Sequence, residues 1–266
     1  MVNLTTEAAA SIPDYERYDY ATVWKRRGIE DRAERELVSR WAVGETGIEL
    51  GGGFGRITQV LERRIGKTFM LDYSLRNLRR ASSRLEKTTL IRDSIDKLPF
   101  DDSVFDFVAL IRVMQHMPDP DALLSEVVRV ARNGATFVLA IGNESRRWHR
   151  GEGVAIKVTE TGHRIFTTPL SRYGHAGLER LEILGLGAFD NLIGRKAERL
   201  SPLATLDLKT SRLWPVKPML FIRYRVKKAD GKNEPSVKCG CGGRVLGGRC
   251  DACGRTYGRI IDLVEK

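Results

Sequence analysis

Gly47-Ile48-Glu49-Leu50-Gly51-Gly52-Gly53-Phe54-Gly55-Arg56 is the stretch around which the chain is organised. It reads as the end of a buried strand, a glycine turn and the start of a helix. Glycines at 51, 53 and 55 permit a tight turn and let a ligand approach the backbone with no Cβ in the way. A helix that starts at such a turn points free N–H groups and its positive dipole end at the ligand. A dinucleotide fingerprint, G-x-G-x-x-G, needs a third glycine at position 56, where Arg56 stands. The pattern present is Glu49-x-Gly51-x-Gly53-x-Gly55, an acid two residues ahead of three alternate glycines. That spacing disfavours a dehydrogenase.

Outward from this loop, the 266 residues suffice for one α/β domain with a small appendage, and 42% hydrophobic content supports a full core. No apolar run approaches the ~18 residues that would span a membrane. The first residues carry Glu7, Asp14 and Glu16 without a basic-then-apolar pattern, so no secretory signal is evident and a cytoplasmic location is expected. The formal net charge of +11 favours a polyanionic partner. All four cysteines, Cys239, Cys241, Cys250 and Cys253, fall near the end of the sequence.

Taken in order, residues 1–18 read as irregular. Tyr20, Trp24 and Arg27 lead into a helix over 30–41, with Leu37, Val38 and Trp41 at helical spacing. Strands are expected at 48–50, 68–71, 88–92, 105–113, 136–141 and 219–226, and helices follow the glycine loop, Ser74 and Asp119 or Asp121. Asn133-Gly134 reads as the end of the last of these helices. Residues 178–186 read as a further helix.

Four ordered motifs carry a resemblance. They are the glycine loop, Leu71-Asp72-Tyr73-Ser74, Arg92-Asp93-Ser94 with Leu98-Pro99-Phe100-Asp101, and Phe105-Asp106-Phe107-Val108 through His116-Met117-Pro118-Asp119. Over about residues 20–142 they resemble the class I S-adenosylmethionine (SAM) methyltransferases, in the right order and at Rossmann-like spacing. The resemblance implies a cofactor site of Glu49, Gly51, Gly53, Gly55, Asp72, Tyr73, Asp93, Ser94 and Arg112. Asp72 would accept hydrogen bonds from a ribose diol, or it or Ser74 simply caps the next helix. Asp93 would face the adenine amino group, or is a turn aspartate. His116 is the candidate catalytic residue, against a packing role. Trp24 and Arg27 would reach the methionine end of SAM, against a core aromatic and a solvated arginine.

After Gly142 the chain turns polar, with Arg146, Arg147, His149, Arg150, Lys157, His163, Arg164 and Arg172 interleaved with Trp148, Phe166 and Tyr173. That mixture suits phosphate contacts and base stacking, or a solvated cover. Residues 227–236 have linker composition. The tail, Cys239-Gly-Cys241-Gly-Gly through Cys250-Asp-Ala-Cys253-Gly, looks like a zinc ribbon with four thiolate ligands for Zn2+, although its first pair is C-x-C rather than C-x-x-C. Two disulfides are the other reading, and they fit a non-secreted chain poorly. The tail with its closing Ile260-Ile261-Asp262-Leu263 resembles the small zinc-ribbon activator of tRNA and release-factor methyltransferases, and the ribbon fused to an rRNA guanine methyltransferase. Residues 223–259 hold ten Lys/Arg against three Asp/Glu, a net +7 and a candidate RNA footprint, or else the tail is a structural cap.

The expected architecture is therefore α/β: a Rossmann-like class I methyltransferase sheet with flanking helices over 1–226, a linker over 227–236 and a zinc ribbon over 237–266. The expected function is methyl transfer to RNA, tRNA or rRNA. A small-molecule acceptor such as a quinone, and a SAM-binding scaffold without catalysis, are the alternatives. Two chemistries are disfavoured. Pyrimidine C5 methylation needs a thiolate, and every cysteine belongs to the tail. The Asn/Asp-Pro-Pro-Tyr/Phe signature of base amino-group methylation is absent, since Arg112-Val113-Met114-Gln115 follows the fourth strand.

Overall fold

The computed structural model describes residues 15–16, 19–25, 27–117, 119–143, 155–158, 164–189 and 201–264. Buried apolar runs form β1 (Thr46–Leu50), β2 (Lys67–Asp72), β3 (Thr89–Arg92), β4 (Phe105–Ile111) and β5 (Ala131–Gly142). Helices before and between them are α1 (Ala21–Trp24), α2 (Gly28–Trp41), α3 (Thr58–Arg64), α4 (Leu75–Ser82) and α5 (Pro120–Val130). Beyond them lie β6 (Ala155–Val158), β7 (Arg164–Thr167), β8 (Leu178–Leu186), α6 (Ser201–Lys209) and β9 (Met219–Val226). The tail adds β10 (Val237–Lys238), β11 (Arg244–Leu246), β12 (Arg249–Cys250) and β13 (Ile260–Asp262).

The main sheet has eight strands in the order β13-β3-β2-β1-β4-β5-β9-β8. From β13 to β5 every pairing is parallel, whereas β9 and β8 return antiparallel. Parallel strands need both faces covered, and the period-two alternation of β4 supplies this. Val108 and Leu110 point into one core with Leu124 and Leu139, whereas Phe107, Ala109 and Ile111 point into the other with Leu37 and Leu61.

Three expectations need correction. Residues 178–186 are a strand, not a helix. The register against β9 shifts between Arg180 and Glu182, and this irregularity leaves Leu181 exposed while Leu184 and Leu186 are buried. One extra residue in a strand turns a period of two into a local spacing of three, which imitates a helix. Asn133-Gly134 does not end α5, which stops at Val130; the pair lies within β5, where the register against β4 is irregular and Gly134 has φ +78°. The helix after the glycine loop begins at Thr58, beyond a run of turns, rather than at the glycines themselves.

The tail is part of the main packing. β13 extends the sheet along β3, and Val237, Cys239, Val245, Cys250 and Ile261 are buried in the same core as Leu71 and Ile91. So short a segment has little apolar surface of its own, and borrowing a neighbour's core is the physical remedy. Residues 227–236 run against loops and α5 at the edge of the parent domain. Lys227 N donates to Gly177 O at 2.9 Å, Asn233 N to Ser103 O at 3.0 Å, and Lys228 Nζ to Val128 O at 2.9 Å.

Candidate active site

β1 and β4 are neighbours at the point where the strand order reverses, so the loops leaving their carboxyl ends flank a crevice, the usual ligand position in open parallel sheets. One wall is the glycine loop. Gly51 and Gly53 have φ of +68° and +58°, a left-handed backbone that a side chain disfavours. A Cβ on Gly51 would lie 2.4 Å from Val113 Cγ2, and one on Gly53 would face the Tyr20 ring at 3.6 Å. The loop is anchored by Gly51 N donating to Leu71 O at 2.8 Å and Gly53 N donating to Asp72 Oδ2 at 2.7 Å.

Asp72 is buried at the end of β2, and its second oxygen accepts from Ser74 N at 2.8 Å. Burial pushes its carboxyl up to about 6, against the pull of those bonds. A carboxylate has about four acceptor positions, so bracing the glycine loop leaves capacity for a ribose diol. Ser74 is the helix cap, accepting from Asn77 N at 3.1 Å, so the capping role weighed for this pair falls to Ser74. Tyr73 is exposed beside them. Asp93 follows β3, accepts from Ser94 N at 2.8 Å, and is held above the ordinary carboxylate range mainly by partial burial. Glu49 is 3% exposed and accepts from the Thr58 hydroxyl. Burial lifts its carboxyl to about 7. In this arrangement Glu49 ties β1 to the start of α3 behind the glycines.

The opposite wall is the exit of β4. Arg112 takes φ +63°, a left-handed value uncommon outside glycine, while its N–H donates to Ala140 O at 2.9 Å. Its guanidinium is buried, donating to Glu34 Oε1 at 3.0 Å and pairing with Glu30. Arg56 joins the same group, pairing with Glu34 and with Asp31 at 3.0 Å. Burial opposes ionisation of the fully enclosed Glu34, but the two guanidinium groups prevail and hold its carboxyl below the usual range. Trp24 is buried with the Arg56 guanidinium 3.4 Å from its ring centroid. Its Nε1 has no hydrogen-bond partner among the described residues. Arg27 is partly exposed and lies 3.4 Å from Glu30.

His116 ends a 3-10 turn, Met114–His116, and its Nε2 lies 2.8 Å from the Tyr15 hydroxyl. Tyr15 belongs to the stretch that reads as irregular in the sequence, yet its described residues span the crevice. Tyr15 and Tyr20 meet edge to face, Tyr20 meets Trp24 likewise, and Asp19 pairs with Arg80 of α4. Glu16 accepts from Leu75 N and Arg76 N at the start of α4. No periodicity in 15–20 could have announced these contacts.

In the tail, the four cysteine sulfurs lie within 4.8 Å of one another, with Cys239–Cys253 at 3.8 Å and Cys241–Cys250 at 3.5 Å. Four thiolates at about 2.3 Å from a tetrahedral zinc sit about 3.8 Å apart, so the donor set and spacing fit a closed S4 site, C-x-C spacing included. Tyr257 Oη lies 3.1 Å from Cys239 Sγ, a hydrogen-bonding partner for a ligand sulfur.

Of the basic-aromatic stretch, Arg146, Arg147, Trp148, His149, Arg150 and His163 lie outside the described residues, as do the side chains of Lys157 and Arg164. Phe166 is partly buried on β7, beside the turn that carries His116. Arg172 faces Asp119 and Asp121 at 3.5 and 3.3 Å. Tyr173 is buried and its carbonyl accepts from Tyr224 Oη at 2.7 Å, so it serves the core rather than a stacking surface.

Comparison with known proteins agrees with this geometry. The family profile described as a methyltransferase domain matches residues 48–139. A 2-phytyl-1,4-naphtoquinone methyltransferase of Nostoc punctiforme is 28% identical over 130 residues, covering 44% of this chain and 56% of that protein. An uncharacterised protein of Methanocaldococcus jannaschii is 27% identical over 110 residues, covering 41% and 51%. The chain thus spans about half the length of these curated relatives. Among solved structures, a chain from the complex between the Haloferax volcanii Trm112 methyltransferase activator and a methyltransferase aligns with TM-score 0.56 at 21% identity, over 79% of this chain and 99% of that one. A SAM-dependent methyltransferase of Thermotoga maritima aligns with TM-score 0.58 at 16% identity, over 78% and 95%. Residues 48–139, with the glycine loop at their head, match the methyltransferase-domain profile, and the sheet around them has the same fold as solved SAM-dependent methyltransferases.

Proposed function

We propose that the chain is a SAM-dependent methyltransferase acting on RNA, with residues 237–266 as a zinc ribbon and 227–236 as the strap that leads to it. The observation that carries the methyltransferase reading is the crevice between β1 and β4. There the left-handed glycines, Asp72 and Asp93 line one side, and Arg112 to His116 the other. In this reading Asp72 and Asp93 hold the nucleoside, the glycine backbone lies against the amino-acid end, and the buried Trp24 Nε1 offers a donor there. When bound, SAM supplies a methyl already activated on a sulfonium. The chain's own work is then to align the acceptor and exclude water. His116, whose Nε2 meets the Tyr15 hydroxyl at 2.8 Å, would be the residue to take a proton from the acceptor. The four cysteines would hold zinc as a closed structural site, which leaves no position for substrate.

The RNA reading rests on the net charge of +11 and its concentration near the tail. Many tail cations meet partners within the chain: Lys238 and Arg244 face Asp101, Arg225 and Lys227 face Glu179, and Lys232 faces Glu45. Exposed pairs of this kind contribute about 0–1 kcal/mol, so each cation can exchange a carboxylate for a phosphate. The naphthoquinone methyltransferase relative supports a second reading, a small-molecule acceptor. Labelled methyl transfer from SAM, offered total RNA and a quinone extract in parallel, separates the two. Label in RNA nucleosides, with binding that weakens steeply as salt rises, is expected. Label only in the extract would replace RNA with a small molecule.

A further inference from the structure

The nucleoside side of the crevice is not closed by the methyltransferase segment alone. β2, β3 and β13 lie side by side, and their last residues are in register: Asp72 opposite Arg92, and Arg92 opposite Asp262. Arg92 therefore stands between the candidate ribose acid and an aspartate of the tail. Its guanidinium does two things at once. Nε donates to the main-chain oxygen of Tyr73 at 3.1 Å, and a terminal nitrogen donates to Asp262 Oδ2 at 3.1 Å. The guanidinium also lies 5.9 Å from the Tyr73 ring centroid. Arg92 and Asp262 side chains are only 14% and 19% exposed, so solvent screens the pair less than an ordinary surface bridge.

Several contacts hold Asp262 in this position. Leu263 N donates to Arg92 O at 2.9 Å, Arg259 donates to Leu85 O at 2.7 Å and to Thr88 O, and Ile261 is buried. The other Asp262 oxygen accepts from Val264 N at 3.1 Å, which fixes the carboxylate's orientation. Next after β3 is Asp93, whose carboxyl is kept protonated to higher pH mainly by burial and additionally by the negative charge of Asp262. Through Asp262 the tail strand thus reaches the loop after Asp72 by way of Arg92, and adds negative charge near Asp93.

We propose that Asp262 is a positioning residue of the nucleoside subsite: it orients Arg92, and Arg92 fixes the Tyr73 carbonyl and with it the loop on which Asp72 and Tyr73 meet the ribose. The tail is then a working part of the cofactor site as well as a cap on the sheet edge. This rests on the methyltransferase reading above. Without Asp262 the guanidinium loses a charged partner, the loop after β2 relaxes, and ligands carrying adenosine bind less tightly.

Isothermal titration of the full-length, zinc-loaded chain tests this with two ligands, S-adenosylhomocysteine and 5′-methylthioadenosine, the second lacking the amino-acid end. Asp262→Asn should weaken both by the same factor, about tenfold, the scale of one charge-assisted hydrogen bond. Arg92→Ala should weaken them at least as much, and the double variant no further than Arg92→Ala alone, because the two residues act in series. Asp262→Glu should restore most of the affinity. Zinc content and thermal midpoint accompany each titration; should Asp262→Asn lose the ribbon, the Asp262→Glu and Arg92→Ala titrations decide the matter. Wild-type affinity in Asp262→Asn with the fold intact, or strictly additive losses in the double variant, would overturn the proposal. A wild-type chain that binds neither ligand would instead overturn the methyltransferase reading.

Discussion

The glycine crevice and the cysteine tail treat charge in opposite ways. Around the crevice, the Arg56, Arg112, Glu30 and Glu34 side chains are at most 8% exposed and interlocked. On the tail, Lys238 and Arg244 are 44% and 60% exposed, and both lean on one aspartate, Asp101. A buried network fixes geometry and fails badly when one member is removed, because a charge is left without a partner. An exposed network tolerates loss and exchange. The comparison teaches that the crevice is rigid by desolvated pairing. The tail is held by its share of the main core and by β13, and its cations stay at the surface.

The largest effect should come from removing the tail's candidate ligand. Structural zinc in small units contributes on the order of 10–16 kcal/mol of apparent binding energy, most of it folding energy. Cys250→Ser should therefore abolish zinc retention by elemental analysis and release the β10–β12 ribbon to proteolysis. The buried β1–β5 core should stay folded by far-UV circular dichroism. Retained zinc at wild-type stoichiometry would break the contrast on the tail side.

Next in size is the crevice network. Glu34→Gln leaves Arg56 and Arg112 sharing less negative charge inside the protein. Breaking such a buried arrangement costs about 3–5 kcal/mol, read from the midpoint of urea unfolding. A loss below about 1 kcal/mol would mean that the cluster is better hydrated than its burial implies.

Glu49 sharpens the same side through pH. Its carboxyl is raised from 4.5 to about 7 by burial, so the folded state prefers it protonated. That contribution is fully present below pH 4.5 and is lost as pH rises through 7. Glu49→Gln, which cannot ionise, escapes the loss. Its stability relative to wild type should rise between those limits by up to about 3 kcal/mol, with a flat difference above and below. A difference that does not change with pH would show Glu49 to be hydrated. The smallest effect belongs to the tail surface: Lys238→Ala should cost under about 1 kcal/mol and less still in high salt.

Much of this was legible before the fold was known. Glu49, the three glycines, Asp72 and Asp93 are encoded locally, because each sits where a hydrophobic strand ends and a turn begins. β8 was misread because the irregularity at Leu181 breaks the strand's alternation. β13 could not be read as a ninth-hour addition to the parent sheet, since three residues carry no period and their partner strand lies about 170 positions away. Tyr15, Glu16 and Asp19 are invisible for a similar reason: their roles exist only once α4 and His116 have been brought to the crevice. The Arg112 cluster is half legible. Arg56 stands out as the residue that replaces a dinucleotide glycine, but nothing local joins it to Glu34 and Arg112.

The central claim is that the glycine crevice takes an adenosine-sulfonium cofactor, and calorimetric titration of the purified chain tests it most directly. S-adenosylmethionine and S-adenosylhomocysteine should bind with one-to-one stoichiometry and NADH should not. Gly53→Val should lose the binding, since position 53 needs φ +58° and its Cβ would enter the space before Tyr20. Binding of NADH without either SAM compound, or SAM binding that Gly53→Val leaves intact, would contradict the account.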